Sequence, residues 1–444
     1  MEVKPGYKQT EVGVIPEDWE VKTFGELFNF SGGYSASRDQ LSTDGHCYLH
    51  YGDIHGTSKT FVDTRGDYQN IPKLDIPLKR VSSKSLLKDG DVVFVDASED
   101  DEGTSKHIVV VNKDNMPFIS GLHTIVAKSK TEGLAHEYRC YCFQTSAIRQ
   151  QFLFYAVGTK VSGISKTNIA KLVLSIPSLP EQTAIATALS DMDALIESLD
   201  QLIAKKRQIK QGSMQELLTG KRRLPGFQVK PGYKQTEVGV IPEDWEVKRL
   251  GDVASISRGA SPRPIDSSIW FDENSTIGWV RISDVTRSGI FLRETTQRLS
   301  PLGIKNSRPV NRGSLIMSIC ATIGRPIITV IDTCIHDGFV VFDVPRMHQR
   351  FLYYVLKSIE ADWGKHGQTG SQMNLNTELI NRTEIPVPKE EAEQRAIATV
   401  LSDMDAETAA LETRRDKTRA LKQGMMQELL TGRVRLVNPE EIRA

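Results

Sequence analysis

The sequence contains few cysteines and no hydrophobic run long enough to cross a membrane. Its five cysteines form no CxxC pair and lack the histidine spacing of zinc sites, so we expect neither a disulfide framework nor structural zinc. With no signal peptide either, a cytoplasmic protein is expected. Lys plus Arg equals Asp plus Glu at 56 each, so the net charge is zero and indicates no partner class.

The motifs of several enzyme classes are also missing. There is no GxxxxGK[ST] loop, no strand-linked GxGxxG and no NPP[YF] segment; the nearest string to the last is Val-Asn-Pro-Glu at 437–440. The letters of a nuclease PD...ExK site occur within 16–22, but they are too crowded, and an exposed turn with a buried Trp19 is the better interpretation. Lone histidines have no nucleophile at motif spacing. We therefore assign no catalytic residue and no metal ligand.

Two segments of the chain occur twice. Val3–Lys22 returns letter for letter at Val229–Lys248, and the 45 residues from 180 to 224 return at 392–436 with 27 identities. The chain therefore consists of two homologous halves that are related by an internal duplication.

The second repeat predicts a long helix in each half. In the first copy the apolar positions are spaced 4, 3, 4, 3, 4, which is a coiled-coil seam: Ile185, Leu189, Met192, Ile196, Leu199 and Ile203. An antiparallel arrangement would place the apolar second half of each helix, including Ile209 and Leu421, opposite its partner's start. Gly220 and Gly432 should end the helices in the left-handed conformation. About 38 residues at 1.5 Å each give a rod of roughly 57 Å.

Between the repeats lie two domains that share an order of sequence features but have few identical residues. Each has strand-like runs, turns and glycine loops, followed by an aromatic segment and a final strand ending in Ile-Pro. The expected fold is mixed α/β (α+β), with two similar recognition domains joined by two long antiparallel coiled-coil helices. The expected divisions are 1–178 and 221–388 for the domains with their repeated segments, 179–220 and 389–432 for the helices, and 433–444 for a tail.

These features together resemble the specificity subunit of type I restriction-modification systems. The resemblance rests on the PEDW segments at 16–19 and 242–245, and on the P.EQ..I...L..MD helix that follows each domain. The second copy departs from this pattern only by Ala392 in place of the first proline. The resemblance implies a non-catalytic subunit whose two target-recognition domains each read half of a split target in double-stranded DNA. It also implies two docked methyltransferase subunits and up to two restriction subunits. S-adenosylmethionine, ATP and Mg would be bound by those partners and no cofactor by this chain.

The glycine-flanked loops are the best candidates for DNA contact, because base reading needs donors on loops held by a rigid scaffold. Arginine suits guanine, and glutamine or asparagine suits adenine. For any single residue, ordinary loop solvation explains the sequence equally well. The candidates in the first domain are Tyr34, Ser35, Arg38, Lys59, Lys106, Lys160, Ser162 and Lys166. Those in the second domain are Arg258, Ser261, Arg263, Arg281, Arg287, Gln368, Ser371, Gln372 and Asn374.

The helices carry two further sets of candidates. Basic clusters at 205–210 and 414–419 could contact phosphates of the unread spacer, although a solvated coiled-coil flank is the preferred interpretation. Gln182, Ser190 and Asp191, with their repeats Gln394, Ser402 and Asp403, are expected to face solvent and to offer a partner two equivalent docking sites. Two other classes stay open from the residues alone: a protein-binding scaffold without a DNA role, and an enzyme with an unrecognised site.

Overall fold

The computed structural model describes residues 4–57, 59–98, 105–158, 162–227, 232–365 and 375–438. They form two compact units, one built from 1–200 with 414–444 and the other from 201–413. Each unit therefore combines one globular domain with parts of both long helices. The divisions expected from the sequence stay predictions, since these units cut across the helices.

The first unit is built on a five-stranded mixed sheet. Its strands lie in the order Phe28–Gly32, Thr124–Ser129, Val92–Val95, His107–Val111 and Phe61–Asp63. A three-stranded sheet has the order Phe118–Ser120, His46–Leu49, Lys73–Leu74. Paired strands are Tyr7–Thr10 with Gly13–Pro16, Glu20–Thr23 with Val173–Ile176, and Ala97–Ser98 with Ser162–Gly163. The shorter α-helices are Phe24–Leu27, Tyr51–Gly56, His136–Cys142, Ser146–Tyr155 and Lys166–Ile169.

The second unit repeats this plan. Its five-stranded sheet has the order Ser255–Arg258, Phe339–Asp343, Leu315–Ser318, Pro326–Thr329 and Phe291–Leu292. Its four-stranded sheet has the order Gln297–Arg298, Gly278–Val280, Thr333–Ile335, Arg308–Val310. Paired strands are Tyr233–Thr236 with Gly239–Pro242, and Trp245–Arg249 with Glu384–Pro388. The shorter α-helices are Leu250–Val253, Ile282–Arg287, Pro301–Lys305, Gln349–Ser358 and Thr377–Arg382.

The two long helices are Leu179–Leu217 and Glu391–Leu429, 39 residues each. In the first unit, Asp193 and Asp200 of the first helix pair with Lys422 and Arg419 of the second, so the helices run antiparallel there. In the second unit, Arg207 and Lys210 pair with Glu412 and Asp405, again antiparallel. The prediction of two long antiparallel helices is confirmed.

The predicted seam is buried at most of its positions. Ile185, Leu189 and Ile203 are at most 2% exposed. Two assignments were wrong: Ile209 is 46% and Leu421 is 59% exposed. The seam continues at its 3–4 spacing through polar residues instead, since Thr418 is buried and Lys422 and Lys210 are partly buried.

Those lysines form a polar layer that occurs once in each unit. The Lys422 ammonium lies 2.6 Å from a carboxylate oxygen of Asp193, whose other oxygen accepts a 2.9 Å hydrogen bond from the Tyr141 hydroxyl. In the second unit Lys210 pairs with Asp405, which accepts from the Tyr354 hydroxyl at 2.8 Å. Each tyrosine belongs to its globular domain, so the layer fixes the domain on the helices.

A buried tryptophan anchors each repeated N-terminal segment. Trp19 and Trp245 are both 1% exposed, and their indole N–H groups donate to Glu181 and Glu393 at 3.0 and 3.3 Å. Arg435 joins Glu181 to Asp18 in the first unit. The expected burial of Trp19 and the expected exposed turn before it are both confirmed, and the Asp18 carboxylate in that turn is held by Arg435.

Arg223 takes the same place in the second unit. It lies 2.6 Å from Glu393 and 2.8 Å from Asp244. Burial alone would lower the pKa of the Arg223 guanidinium, but hydrogen bonds to both carboxylates outweigh burial and raise it. Each cluster therefore joins the repeated segment, a long-helix start and the residues that follow the other long helix.

The glycines after the helices have the expected conformation. Gly220 has φ of +69° and Gly432 has φ of +70°. A Cβ at Gly432 would lie 2.5 Å from the Pro16 ring, and one at Gly220 would lie equally close to Pro242. The absence of a side chain thus serves both the turn and the close approach of the repeated segment.

Candidate nucleic-acid interface

Three predicted DNA-contact residues of the second unit converge on one residue, Asp337. The Ser261 hydroxyl donates to Asp337 Oδ1 at 2.7 Å, and the Arg263 guanidinium lies 3.1 Å from Oδ2. Arg258 donates through Nε to the Asp337 backbone carbonyl at 2.7 Å. Because Ser261 and Asp337 are 76 residues apart in sequence, only the fold brings this group together.

The Asp337 carboxylate is held in its charged form. Burial would raise its pKa, but the hydrogen bond from Ser261 and the charge of Arg263 outweigh burial and lower the pKa below its ordinary value. The neighbouring His336 has a lowered pKa, chiefly because it is buried against Trp279 and Phe339. The site therefore keeps a fixed negative charge beneath two arginines, of which Arg263 is 71% exposed.

The other two described candidates of this unit surround Asp284, which is 1% exposed. Arg287 lies 2.6 Å from Asp284 Oδ1, and the backbone N–H of Arg281 donates to Oδ2 at 3.0 Å. The Thr296 hydroxyl completes the group at 3.0 Å. Asp284 thus fixes both ends of the short helix Ile282–Arg287 and leaves the 60% exposed Arg287 side chain at its end.

In the first unit the corresponding feature is an arginine held by one aspartate. The Arg38 guanidinium lies 2.6 Å from Asp53 Oδ1 and is 57% exposed. Asp53 lies on the helix Tyr51–Gly56, whose first turn is capped by the His50 ring accepting from the Gly52 N–H at 3.0 Å. The Tyr51 ring packs edge-on against His123, with centroids 5.4 Å apart. A polar, partly aromatic surface therefore surrounds the exposed Arg38.

The remaining described candidates of the first unit are more dispersed. Lys106 donates to the His55 carbonyl at 2.6 Å and so caps the same short helix, whereas Lys59 pairs with Asp67 at 3.0 Å. Tyr34 is half-buried and bridges to Gly121, next to the exposed Ser35. Ser162 lies on the short strand paired with Ala97–Ser98, and the exposed Lys166 begins a four-residue helix.

Five predicted contact residues lie outside the described part of the chain. They are Lys160, Gln368, Ser371, Gln372 and Asn374. DNA contact by any of the candidates stays a prediction. The aspartates that hold the arginines, Asp53, Asp284 and Asp337, were not among the candidates. The sequence signal that could have indicated one of them was the pair His336–Asp337 directly after a strand.

The predicted docking residues on the helices need correction. Gln182 is 0% and Gln394 is 5% exposed, so neither faces solvent. The Gln182 amide accepts from the Ala135 N–H at 2.8 Å and donates to two backbone carbonyls, while Gln394 accepts from the His348 N–H at 2.9 Å. Both glutamines fasten the globular domain to the start of a long helix. Ser190, Asp191 and Asp403 are exposed as expected, and Ser402 is half-buried beside Tyr354.

The basic clusters on the helices are largely paired with acids of the opposite helix. Lys206, Arg207 and Lys210 pair with Glu407, Glu412 and Asp405 in the second unit. In the first unit Arg415 and Arg419 share Asp200. This pairing favours the interpretation of a solvated coiled-coil flank over phosphate contact.

The single histidines are explained by packing. His107 is 7% exposed and lies between Phe94 and Phe143, and burial lowers its pKa to about 4. All five cysteines are free. Within the six described stretches no three His, Cys, Asp or Glu side chains form a group that could hold a metal ion, and no helix there is long and apolar enough to cross a membrane.

The two units thus define a class of protein in which an α+β recognition domain occurs twice. Each copy is fixed to two long antiparallel helices by a polar layer and a tryptophan anchor. The chain belongs to the family of the type I restriction modification DNA specificity domain, whose model matches twice, at residues 16–206 and 242–419. Each match contains one globular domain and most of the long helix that follows it.

Similar proteins match two thirds or more of the chain. In Methanocaldococcus jannaschii a protein provisionally named the type I restriction enzyme MjaX specificity subunit is 25% identical over 97% of both chains. The MjaVIII specificity subunit of the same organism is 27% identical over 67% of this chain and 71% of its own length. The crystal structure of a type I restriction-modification S subunit from M. genitalium has a TM-score of 0.56 at 14% identity, covering 97% of this chain and 98% of its own. The similarity to this crystal structure shows that the chain has the same fold.

Proposed function

We propose that this chain is the DNA specificity subunit of a type I restriction-modification complex. The observation that carries the proposal is the double match to the DNA specificity domain, one on each of two similar units. Each unit would read one half of a split target in double-stranded DNA, and the long helices would set the distance between the halves. The chain would supply specificity and no catalysis, and would act in the cytoplasm.

Base reading by this chain would use arginines whose direction is fixed by an aspartate. Arg38 on Asp53 and Arg263 on Asp337 each keep N–H groups free for a further acceptor, because one guanidinium carries five donors. A fixed arginine can donate two hydrogen bonds to O6 and N7 of guanine in the major groove. Each unit would therefore read at least one guanine.

The chemistry would belong to partners. Two methyltransferase subunits would bind S-adenosylmethionine and methylate adenine, and up to two restriction subunits would use ATP and Mg. The exposed Ser190, Asp191 and Asp403 on the long helices would contribute to methyltransferase docking. Gln182 and Gln394 would not, because they are buried against their own domains.

An exchange of residues 249–388 for the corresponding domain of another such subunit tests the proposal. Methylation sequencing of cells that carry the hybrid should show a change in one half of the methylated site, with the other half and the spacer length retained. A change in both halves would show that the units do not read independently. Gel shift with and without methyltransferase subunits separates DNA recognition from a pure scaffold role.

A point substitution tests the guanine reading. Arg263→Ala should relax the preference at one base pair of one half-site, at a cost of about 1–3 kcal/mol in discrimination. Arg382→Ala is the matched control, because Arg382 is equally exposed at 72% and pairs with Glu378 on its own helix. Equal relaxation by both variants would contradict the assignment of Arg263.

A further inference from the structure

The second unit contains a groove of about 1170 Å³ between the long helices and the globular domain. Its floor is formed by both helices, including Lys210, Met214 and Asp405. One wall carries Phe291 and Arg350. The groove lies away from the Asp337 group, because the strand Phe291–Leu292 lies at the opposite edge of the five-stranded sheet from Ser255–Arg258. We call it the arginine groove.

Two arginines of the wall lie against one aromatic ring. The guanidinium carbons of Arg293 and Arg350 are 5.8 and 5.7 Å from the centroid of the Phe291 ring. Both side chains are exposed, and within the described residues neither has an ion pair. The Phe291 ring limits where each guanidinium can move, so that both present their N–H donors at the groove.

Three of the other four cations of the groove are paired with acids. Arg207 pairs with Glu412, Lys210 with Asp405, and Lys357 with Glu360. Arg325 keeps its charge but is half-buried and donates to the carbonyls of Thr286 and Ser288, 3.4 and 3.5 Å away, and so supports the end of a short helix. Arg293 and Arg350 are therefore the exposed cations of the groove that have no acidic partner within the described residues.

The first unit carries opposite charges at the equivalent positions. Phe61 pairs with Val109 as Phe291 pairs with Ile328, both in parallel register, which makes Asp63 the equivalent of Arg293. Tyr141 and Tyr354 make the same hydrogen bond to the long helix, which makes Glu137, four residues before Tyr141, the equivalent of Arg350. The aromatic residue and the helix floor are retained, while both arginines become acids.

We propose that the arginine groove binds an acidic segment of a protein partner and that the first unit offers no such site. Spaced carboxylates could meet the two arginines while apolar side chains contact Phe291, Ile290 and Met214. A continuous phosphate backbone fits less well, because the exposed Asp403 and the paired Asp405 also line the groove. Two copies of one partner would accordingly meet different surfaces on the two units, whether or not the chain reads DNA.

The test uses the full chain and a fluorescein-labelled peptide in which single glutamates are spaced by leucine and serine, followed by fluorescence anisotropy at low salt. The wild type should bind in a salt-dependent manner, and Arg293→Asp with Arg350→Glu should weaken binding by about tenfold or more. Arg382→Glu with Arg395→Glu is the control, because these arginines lie in the same unit, are equally exposed and change the net charge by the same amount. The control should bind as the wild type does, apart from a small non-specific loss.

A gain of function completes the test. Asp63→Arg with Glu137→Arg should add a second binding site for the peptide in the first unit, seen as a doubled stoichiometry in a titration. The proposal is overturned if the wild type does not bind the peptide, or if the groove and control variants weaken binding equally. It is also overturned if the groove variant loses affinity for a random duplex DNA but not for the peptide, which would assign the arginines to phosphates.

Discussion

The buried arginine of the second unit offers the sharpest test of how the long helices hold their domain. The Arg223 side chain is 7% and its partner Glu393 is 3% exposed, and Arg223 Nη2 also donates to the Phe227 carbonyl at 2.5 Å. In Arg223→Met the Glu393 carboxylate would stay buried with the Trp245 indole as its remaining donor. Removing one partner of a buried pair costs about 3–5 kcal/mol, because the other charge is left uncompensated.

Urea unfolding followed by tryptophan fluorescence is a suitable assay, because four of the five tryptophans, Trp245, Trp270, Trp279 and Trp363, belong to the second unit. With a typical slope of about 2–3 kcal/mol per molar urea, the midpoint should fall by about 1–2 M. Arg222→Met is the control. Arg222 belongs to the same unit, is 69% exposed and lies 3.7 Å from Glu216, so its loss should cost less than about 1 kcal/mol.

A double substitution separates the destabilisation caused by the unpaired Glu393 carboxylate from that caused by the lost packing of Arg223. Adding Glu393→Gln to Arg223→Met removes the uncompensated carboxylate and should restore at least half of the lost stability, about 1.5–2.5 kcal/mol. If the double variant were no more stable than Arg223→Met, packing of the arginine on Trp245 would be the dominant contribution. If Arg223→Met lowered the free energy of unfolding no more than Arg222→Met does, the anchor would not hold the domain at all.

Three further predictions concern single sites. The folded-state pKa of His107 is about 4 against an ordinary 6.5, so the folded protein does not take up the proton that the unfolded chain binds. Its contribution to the unfolding free energy is full above pH 6.5 and falls by up to about 3 kcal/mol toward pH 4. His107→Leu should flatten this dependence in acid titrations of stability. Gly432→Ala should lower the free energy of unfolding by about 1 kcal/mol or more, because Gly432 has a positive φ and lies against Pro16. Gly424→Ala, in open space within the helix, should raise the free energy of unfolding by about 0.5–1 kcal/mol. Thermal unfolding measures both changes. Tyr141→Phe should cost about 1.5–3 kcal/mol in the first unit through the lost bond to charged Asp193, while Tyr155→Phe, whose hydroxyl makes no such bond in the described structure, should be near neutral.

The sequence predicted the long helices well because their apolar spacing and terminal glycines are local signals. It did not predict that Lys210 and Lys422 continue the seam. A lysine is expected at the surface unless the acid with which it pairs is known. Their partners Asp405 and Asp193 lie about 200 residues away in sequence, and antiparallel register is not encoded locally. The same reason hides the pairing of the basic clusters with acids of the opposite helix.

The wrong expectation for Gln182 and Gln394 has a different cause. Both lie three residues before the first apolar seam residue of their helix, which continues the 3–4 spacing, so the spacing alone predicts burial. They were assigned to the solvent side because they are polar. In the structure the domain covers them, and its Ala135 and His348 N–H groups need an acceptor at the start of a helix. A buried glutamine can satisfy such groups, and an apolar residue there could not.

The pattern of identity between the halves follows from which neighbours are duplicated. Pro16 and Pro242 both lie beside a helix-ending glycine, and Trp19 and Trp245 both donate to a duplicated glutamate, so each repeated segment faces an equivalent environment. Residues whose neighbours belong to the globular domains have diverged, even where the backbone register is the same, as at Asp63 and Arg293. The frame therefore constrains a domain through the tyrosine, glutamine and tryptophan contacts described above and through apolar packing of the long helices on the domain core, as at Leu189 and Leu401. A foreign domain that preserves those contacts should be accepted by either unit, which is the physical reason to expect that an exchange of 249–388 alters one half of a target and leaves the other intact.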